Sequence, residues 1–150
     1  MVLQIDESYP AIPSLLLPEF KTDLDYLRDY ARYDERLWKD YALIVEYTGL
    51  ARSHKEALQD RVFTDTLYWV IGDFFRVAST LSDLTPGRLT KDLAEVCRDG
   101  TFEFALWVTS VYRFIRKGDE AFLDGADPHR AKGVAIFQKA QLKVKELEVV

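Results

Sequence analysis

The sequence predicts an all-α protein, a compact bundle of about five helices with an extended N-terminal arm. Apolar residues recur every three or four positions over most of the chain, which is the spacing of one face of an α-helix. Glycine and proline are sparse, with 7 and 5 in 150 residues, so long connections are not expected. A hydrophobic content of 48% is enough for a chain of this length to bury a core as one domain.

Residues 1–18 are predicted to form the extended arm, and residues 19–150 the helical bundle. Pro10, Pro13 and Pro18 interrupt any helical period in the arm. We expect the arm to pack through the three leucines at 15–17, and residues 2–5 have the composition of a short strand.

The first two helices are predicted from their apolar stripes and their end signals. The first runs from Glu19 to about Tyr47 and ends before Gly49. The second begins at a capping box formed by Ser53 and Glu56 and runs to about Ser82. Its seam alternates steps of four and three and consists of Phe63, Leu67, Val70, Phe74, Val77 and Leu81. Further aromatic residues make this helix apolar nearly all round, which predicts a central position.

Three shorter helices are predicted in the second half. Thr85 and Pro86 have the pattern of a helix start, and Gly100 that of a stop. Thr101 then caps a fourth helix that ends at Gly118. The fifth helix begins at Asp127–Pro128 and extends to about residue 147.

Metal and nucleophile patterns are missing from the sequence. Neither His54 nor His129 has the glutamate three residues earlier that di-iron bundles use. Cys97 has no second cysteine near it, and no histidine is placed to act as its base. We therefore expect no catalytic residue, no metal and no cofactor, so the sequence indicates a protein that is not an enzyme.

Two aspartates on the second predicted helix are the remaining candidates for acid–base chemistry. Asp65 follows Arg61 by four residues, and Asp73 precedes Arg76 by three. Because residues at these spacings meet on a helix surface, ion pairs account for both.

Charge and hydropathy limit the class of protein. A net charge of −5 argues against coating nucleic acid through the overall field. The longest uncharged apolar stretch, residues 104–112, is about half the length of a membrane span. With 1 cysteine and no secretory leader pattern, we expect a cytoplasmic protein that does not bind membranes.

Basic side chains nevertheless cluster on three predicted helices. On the first helix Arg28, Arg32 and Arg36 share one face with Lys39. The remaining candidates for binding nucleic-acid backbone are Arg113, Arg116, Lys117, Lys132, Lys139 and Lys143. The first group has interleaved acids that can neutralise it, whereas residues 104–118 contain no acid. A solvated structural surface and a phosphate-binding surface both remain open.

A helical domain of this size, with an opening MVLQIDESYP like the end of another domain and arginines on its helix faces, resembles the small subunit of CRISPR RNA-guided effector complexes. In some of these systems the small subunit is similar to the C-terminal helical domain of the large subunit. The resemblance implies a role in antiviral defence, with other protein subunits and further copies of this chain as partners. It also implies contact with the backbone of guide RNA or target DNA.

Two functions are therefore expected. The first is a non-catalytic structural subunit of a nucleoprotein assembly that contacts nucleic-acid backbone through basic helix faces. The alternative is a helical protein–protein interaction or adaptor protein that binds no nucleic acid. Its 8 tyrosines and 3 tryptophans, residues that are enriched in protein interfaces, favour the second function.

Overall fold

The computed structural model describes residues 18–148, which form four long α-helices. The predicted arm, with its leucines and its short strand, lies outside these residues except for residue 18. The helices are α1 (Lys21–Ser53), α2 (Arg61–Asp83), α3 (Lys91–Lys117) and α4 (Ala126–Glu148). Short 3₁₀ segments cover Pro18–Phe20, Lys55–Gln59 and Glu120–Leu123. The all-α class is confirmed, but the predicted number of about five helices is wrong.

Successive helices pack side by side, and the residue contacts between them show that they run antiparallel, so the bundle has an up-down-up-down arrangement. The fourth helix returns to the first, where Arg130 donates a hydrogen bond to Tyr41 Oη at 3.0 Å and Trp38 meets Phe137 edge to face. These contacts close the ring of helices around one apolar interior.

Phe104 of α3 lies at the centre of an aromatic cluster that joins all four helices. Its ring is 5.5 Å from Tyr41 of α1, 5.8 Å from Phe74 of α2 and 5.3 Å from Phe137 of α4, measured between ring centroids. Phe104 and Phe74 are completely buried. Edge-to-face and offset contacts of this kind add to the hydrophobic stabilisation of burial.

Gly100 does not end a helix, which corrects the prediction of two helices in residues 86–117. It lies inside α3 and is buried, and a Cβ at this position would come within 2.7 Å of the Phe137 ring. In return, a Cβ at Gly133 of α4 would overlap the Phe104 ring. Each helix thus provides a glycine on which the phenylalanine of the other packs, so Gly100 serves close helix packing.

The second helix begins later than predicted, because α1 continues through Gly49 to Ser53. The predicted capping box at Ser53 and Glu56 lies where α1 passes into a 3₁₀ segment. Asp60 caps α2 instead, since its Oδ1 accepts hydrogen bonds from the backbone N–H groups of Val62 and Phe63.

The predicted helix start at Thr85–Pro86 is wrong as well, because residues 84–90 form the connection to α3. A buried carboxylate organises this connection. Asp23 Oδ1 of α1 accepts hydrogen bonds from the backbone N–H groups of Leu89 and Thr90 and from the Thr90 hydroxyl. These bonds satisfy polar groups that would otherwise be costly to bury.

Candidate functional site

The basic row on α1 lies beside α2 and is partly neutralised. Arg36 donates from two nitrogens to the two carboxylate oxygens of Asp73 on α2, with its Nε 3.0 Å from Oδ2. Arg28 pairs with Asp25 and Asp29, in both cases at 3.4 Å. Arg32 lies over the Tyr33 ring. Arg36 and Arg28 therefore have carboxylate partners within their own chain.

Asp73 and Asp40 form a buried carboxyl pair beneath Arg36. Asp73 is 2% exposed and Asp40 6%. Burial raises the pKa of Asp40 to about 7, and the neighbouring Asp73 adds to the rise. Burial opposes ionisation of Asp73 too, but hydrogen bonds from Asp40 and from Arg36 bring its pKa below the usual value. Below about pH 7 Asp40 therefore keeps a proton beside ionised Asp73.

The predicted ion pairs of the second helix are confirmed. Arg61 lies 3.5 Å from Asp65, and Arg76 lies 3.5 Å from Asp73. Asp73 has a second cationic partner besides Arg76, because Arg36 of α1 also pairs with it.

The basic end of α3 remains accessible. Arg113 and Lys117 are exposed and make no ion pair with any residue that the structure describes. Arg116 donates to Tyr112 Oη at 3.2 Å and lies over the Tyr112 ring. Together with Lys55, Arg116 and Lys117 line a cleft of about 410 Å³ beside Gly118.

The lysine row of α4 lies on the side of α3. Lys132 is one turn beyond His129, whose Nδ1 is 2.6 Å from Glu103 of α3. Lys139 and Lys143 follow Ile136, which faces Gly100 of α3. The α1 row faces α2, so the two rows lie on different sides of the bundle and do not form one continuous basic surface.

A groove between α2 and α3 is the larger feature, and it was not among the sites predicted from the sequence. Its first part is a cleft of about 540 Å³ lined by Tyr68, Ile71, Gly72, Phe75, Tyr112 and Arg116. The second part, of about 410 Å³, shares Phe75 and continues to Arg98 over small side chains such as Ala78 and Ala105. We call the two parts together the α2/α3 groove.

Aromatic side chains flank this groove in an exposed position. Phe102 is 63% exposed, and Phe75 and Tyr112 are both partly open to solvent. On the other side of α2, Trp69 is 64% exposed. The prediction that the second helix is central is therefore wrong, since much of its aromatic surplus lies on the surface. Extended apolar surfaces of this kind mark interaction sites.

Each end of the groove carries an arginine whose guanidinium is held by a hydrogen bond to a neutral oxygen and not by an ion pair. Arg98 Nε donates to the backbone oxygen of Ser82 at 3.2 Å, and Arg116 Nη1 donates to the Tyr112 hydroxyl at 3.2 Å. Neither is in ion-pair contact with a carboxylate of the described residues. Both side chains are exposed and can accept an anionic partner.

A smaller cleft, of about 370 Å³, opens between α1 and α4 beside Tyr30 and Asp34. Burial raises the pKa of Asp34 to about 6. Behind it lies Cys97, which is completely buried and whose pKa burial raises to about 12. A thiol in this state is a poor nucleophile, and we assign it to the core.

Among residues 18–148, no group of three or more histidine, cysteine or acidic side chains is arranged to hold a metal ion. In the same range, no helix combines the length and the apolar character needed to cross a bilayer. The chain matches no protein-family model, no curated protein and no solved structure.

One pattern in the sequence corresponds to the α2/α3 groove. Tyr68, Ile71 and Phe75 on α2 follow a second helical stripe beside the buried seam. On α3, Arg98, Phe102 and Ala105 are four and then three residues apart, which also places them on one helical face. Apolar residues on two neighbouring faces of one helix fit a central helix as well as a surface groove, so the periodicity did not distinguish them.

Proposed function

We propose that this protein is a non-catalytic binding subunit that holds an amphipathic helix of a partner protein in the α2/α3 groove. The observation that carries the proposal is the exposed aromatic and small-residue lining that runs along two long helices. Helix-in-groove recognition uses such a surface, because the partner helix inserts side chains one and two turns apart. Small residues such as Ala78 and Ala105 let the partner backbone approach closely.

A pair of glycines provides the test. Gly72 lines the groove, and a Cβ there would meet only the flexible end of Arg76, at 3.7 Å. Gly49 is helical and exposed and has nothing within 4 Å of such a Cβ. We expect G72L to fill the groove without disturbing the fold and to weaken binding at least tenfold. G49L is the matched control and should bind like the wild type.

The measurement is photo-crosslinking from position 102 followed by mass spectrometry of the crosslinked peptides, after nuclease treatment of the extract. Wild-type protein and G49L should crosslink to the same segment of a partner, and G72L should lose it. Equal crosslinking by G72L and the wild type would contradict the proposal.

A second candidate function is contact with nucleic-acid backbone, and the cleft formed by Lys55, Arg116 and Lys117 favours it. The exposed guanidinium of Arg113 lies nearby on α3. The predicted site residues Arg113, Arg116 and Lys117 lie together at the end of α3 and pair with no carboxylate of residues 18–148. In an effector complex of the kind that the sequence resembles, this end would contact guide RNA or target DNA.

Fluorescence anisotropy with single-stranded DNA and RNA tests this candidate. Neutralising three or four phosphates predicts a log–log salt slope of about −2 to −3. The double variant R113E/K117E should abolish that binding, whereas K132E and K139E should leave it unchanged. Binding that is insensitive to salt, or lost equally in all variants, would exclude a backbone contact at this end.

A further inference from the structure

We infer that the partner helix of the α2/α3 groove carries acidic residues at both ends of its apolar stripe. This inference rests on the proposed function and names the chemistry of the occupant. It follows from Arg98 and Arg116, which mark the two ends of the groove on one helix.

The spacing of these arginines sets the length of the partner. They lie about five turns apart on α3, which corresponds to about 27 Å at the α-helical rise. A helix that spans the groove therefore needs about 18 residues, with a carboxylate near each end and apolar side chains between them. On α2 the outermost lining residues, Tyr68 and Ser82, are 14 residues or about 21 Å apart, so one helix that reaches both arginines also covers both clefts.

The hydrogen bonds of these arginines explain why they favour a carboxylate. The Ser82 carbonyl and the Tyr112 hydroxyl fix the two guanidinium groups but leave the positive charges uncompensated. Because the geometry is set before binding, little side-chain entropy is lost when an acidic group arrives. Arginine also has further N–H donors that can bind both oxygens of one carboxylate.

The surroundings of Arg116 are consistent with this selectivity. The guanidinium of Arg116 is charged at every physiological pH, and its hydrogen bond to the Tyr112 hydroxyl raises its pKa further. Arg113 lies one turn before Arg116 on α3 and adds positive charge at that end. A lysine at an end of the partner would meet the like charge of Arg98 or of Arg116.

Three synthetic peptides test the inference. Each is an amphipathic helix of about 22 residues with the same leucine and phenylalanine stripe, and they differ only in carrying Glu, Gln or Lys pairs at the ends. We expect the Glu peptide to bind at least tenfold more tightly than the Gln peptide, and the Lys peptide to bind most weakly.

Charge reversal on the protein completes the test. The variant R98E/R116E should reverse the order of the Glu and Lys peptides, while K132E/K139E, on another face, should leave it unchanged. If the wild type binds all three peptides with equal affinity, the inference about acidic ends is wrong although the groove still binds helices. If no peptide binds and G72L has no effect on crosslinking, the proposed function itself fails.

Light scattering tests the other possible occupant of the groove, which is a second copy of this chain. A dimer of the isolated chain that is present in the wild type and in G49L but lost in G72L would identify a second copy in the groove. That result would overturn the inference of an acidic partner helix.

Discussion

At the scale of single residues, the buried pair of Asp40 and Asp73 is the most informative feature, because it joins α1 to α2 through charge. Arg36 and Arg76 both reach Asp73, so the carboxylate is ionised, and Asp40 keeps its proton beside it. An arrangement with one proton shared between two carboxyl groups responds to pH near neutrality.

The sign of this response follows from the raised pKa of Asp40. The folded state keeps the proton up to about pH 7, whereas an aspartate in an unfolded chain releases it at about pH 3.9. Because the folded state binds more protons in this range, its stability falls as the pH rises. We expect D40N to flatten the decline in melting temperature between about pH 4 and pH 7, and to be more stable than the wild type at the upper end of this range.

The control is D65N, which removes an exposed carboxylate from a surface pair with Arg61. It should leave the decline unchanged. A residual slope below about pH 6 should persist in D40N, because burial also raises the pKa of Asp34. Identical pH profiles for D40N and the wild type would show that Asp40 is ionised in the folded protein.

At the scale of helices, the packing of α3 on α4 depends on the two glycines that receive phenylalanine rings. We expect G100A to destabilise the fold by about 1–3 kcal/mol, because the added methyl group overlaps Phe137 and forces the helices apart. The measurement is urea denaturation followed by circular dichroism.

G49A is the matched control, since it places the same substitution in an open helical position. It should stabilise α1 by about 0.5–1 kcal/mol through better helix propensity. Opposite signs for the two variants would confirm that packing, and not propensity, governs position 100. A stabilising G100A would contradict the close approach of α3 and α4.

The helices also show where sequence reasoning succeeded and where it did not. The buried seam of α2 was predicted residue by residue from its periodicity, and all six of its residues line the interior or its edge. Helix ends were predicted less well. Gly100 has the residue type of a stop, but the tertiary contact with Phe137 outweighs the cost of a glycine inside a helix.

At the scale of the whole molecule, the candidate site could be predicted only in part. Sequence identified the basic residues of α3 and the local partners of Asp65 and Asp73. It did not identify Arg36 as a partner of Asp73, because that contact joins residues on different helices. The α2/α3 groove likewise depends on how two helices lie together, which no spacing within one helix reveals.

Cys97 is completely buried, so the reactivity of its thiol can be used to measure how often the folded bundle opens. A thiol reagent can reach this sulfur only when the bundle opens, so the labelling rate under native conditions reports the population of open molecules. Cys97 lies one turn from Gly100, and labelling in G100A should therefore accelerate by about tenfold for each 1.4 kcal/mol lost. Acceleration in G49A would contradict this link.

Because Cys97 is buried, the folded protein does not react with thiol reagents. A cysteine introduced at position 102 would then be the one sulfur of residues 18–148 that reacts while the bundle is closed. A dye, spin label or tether can thus be attached at position 102 beside the groove in an otherwise unmodified chain. The signal of this single label would then report binding of a partner.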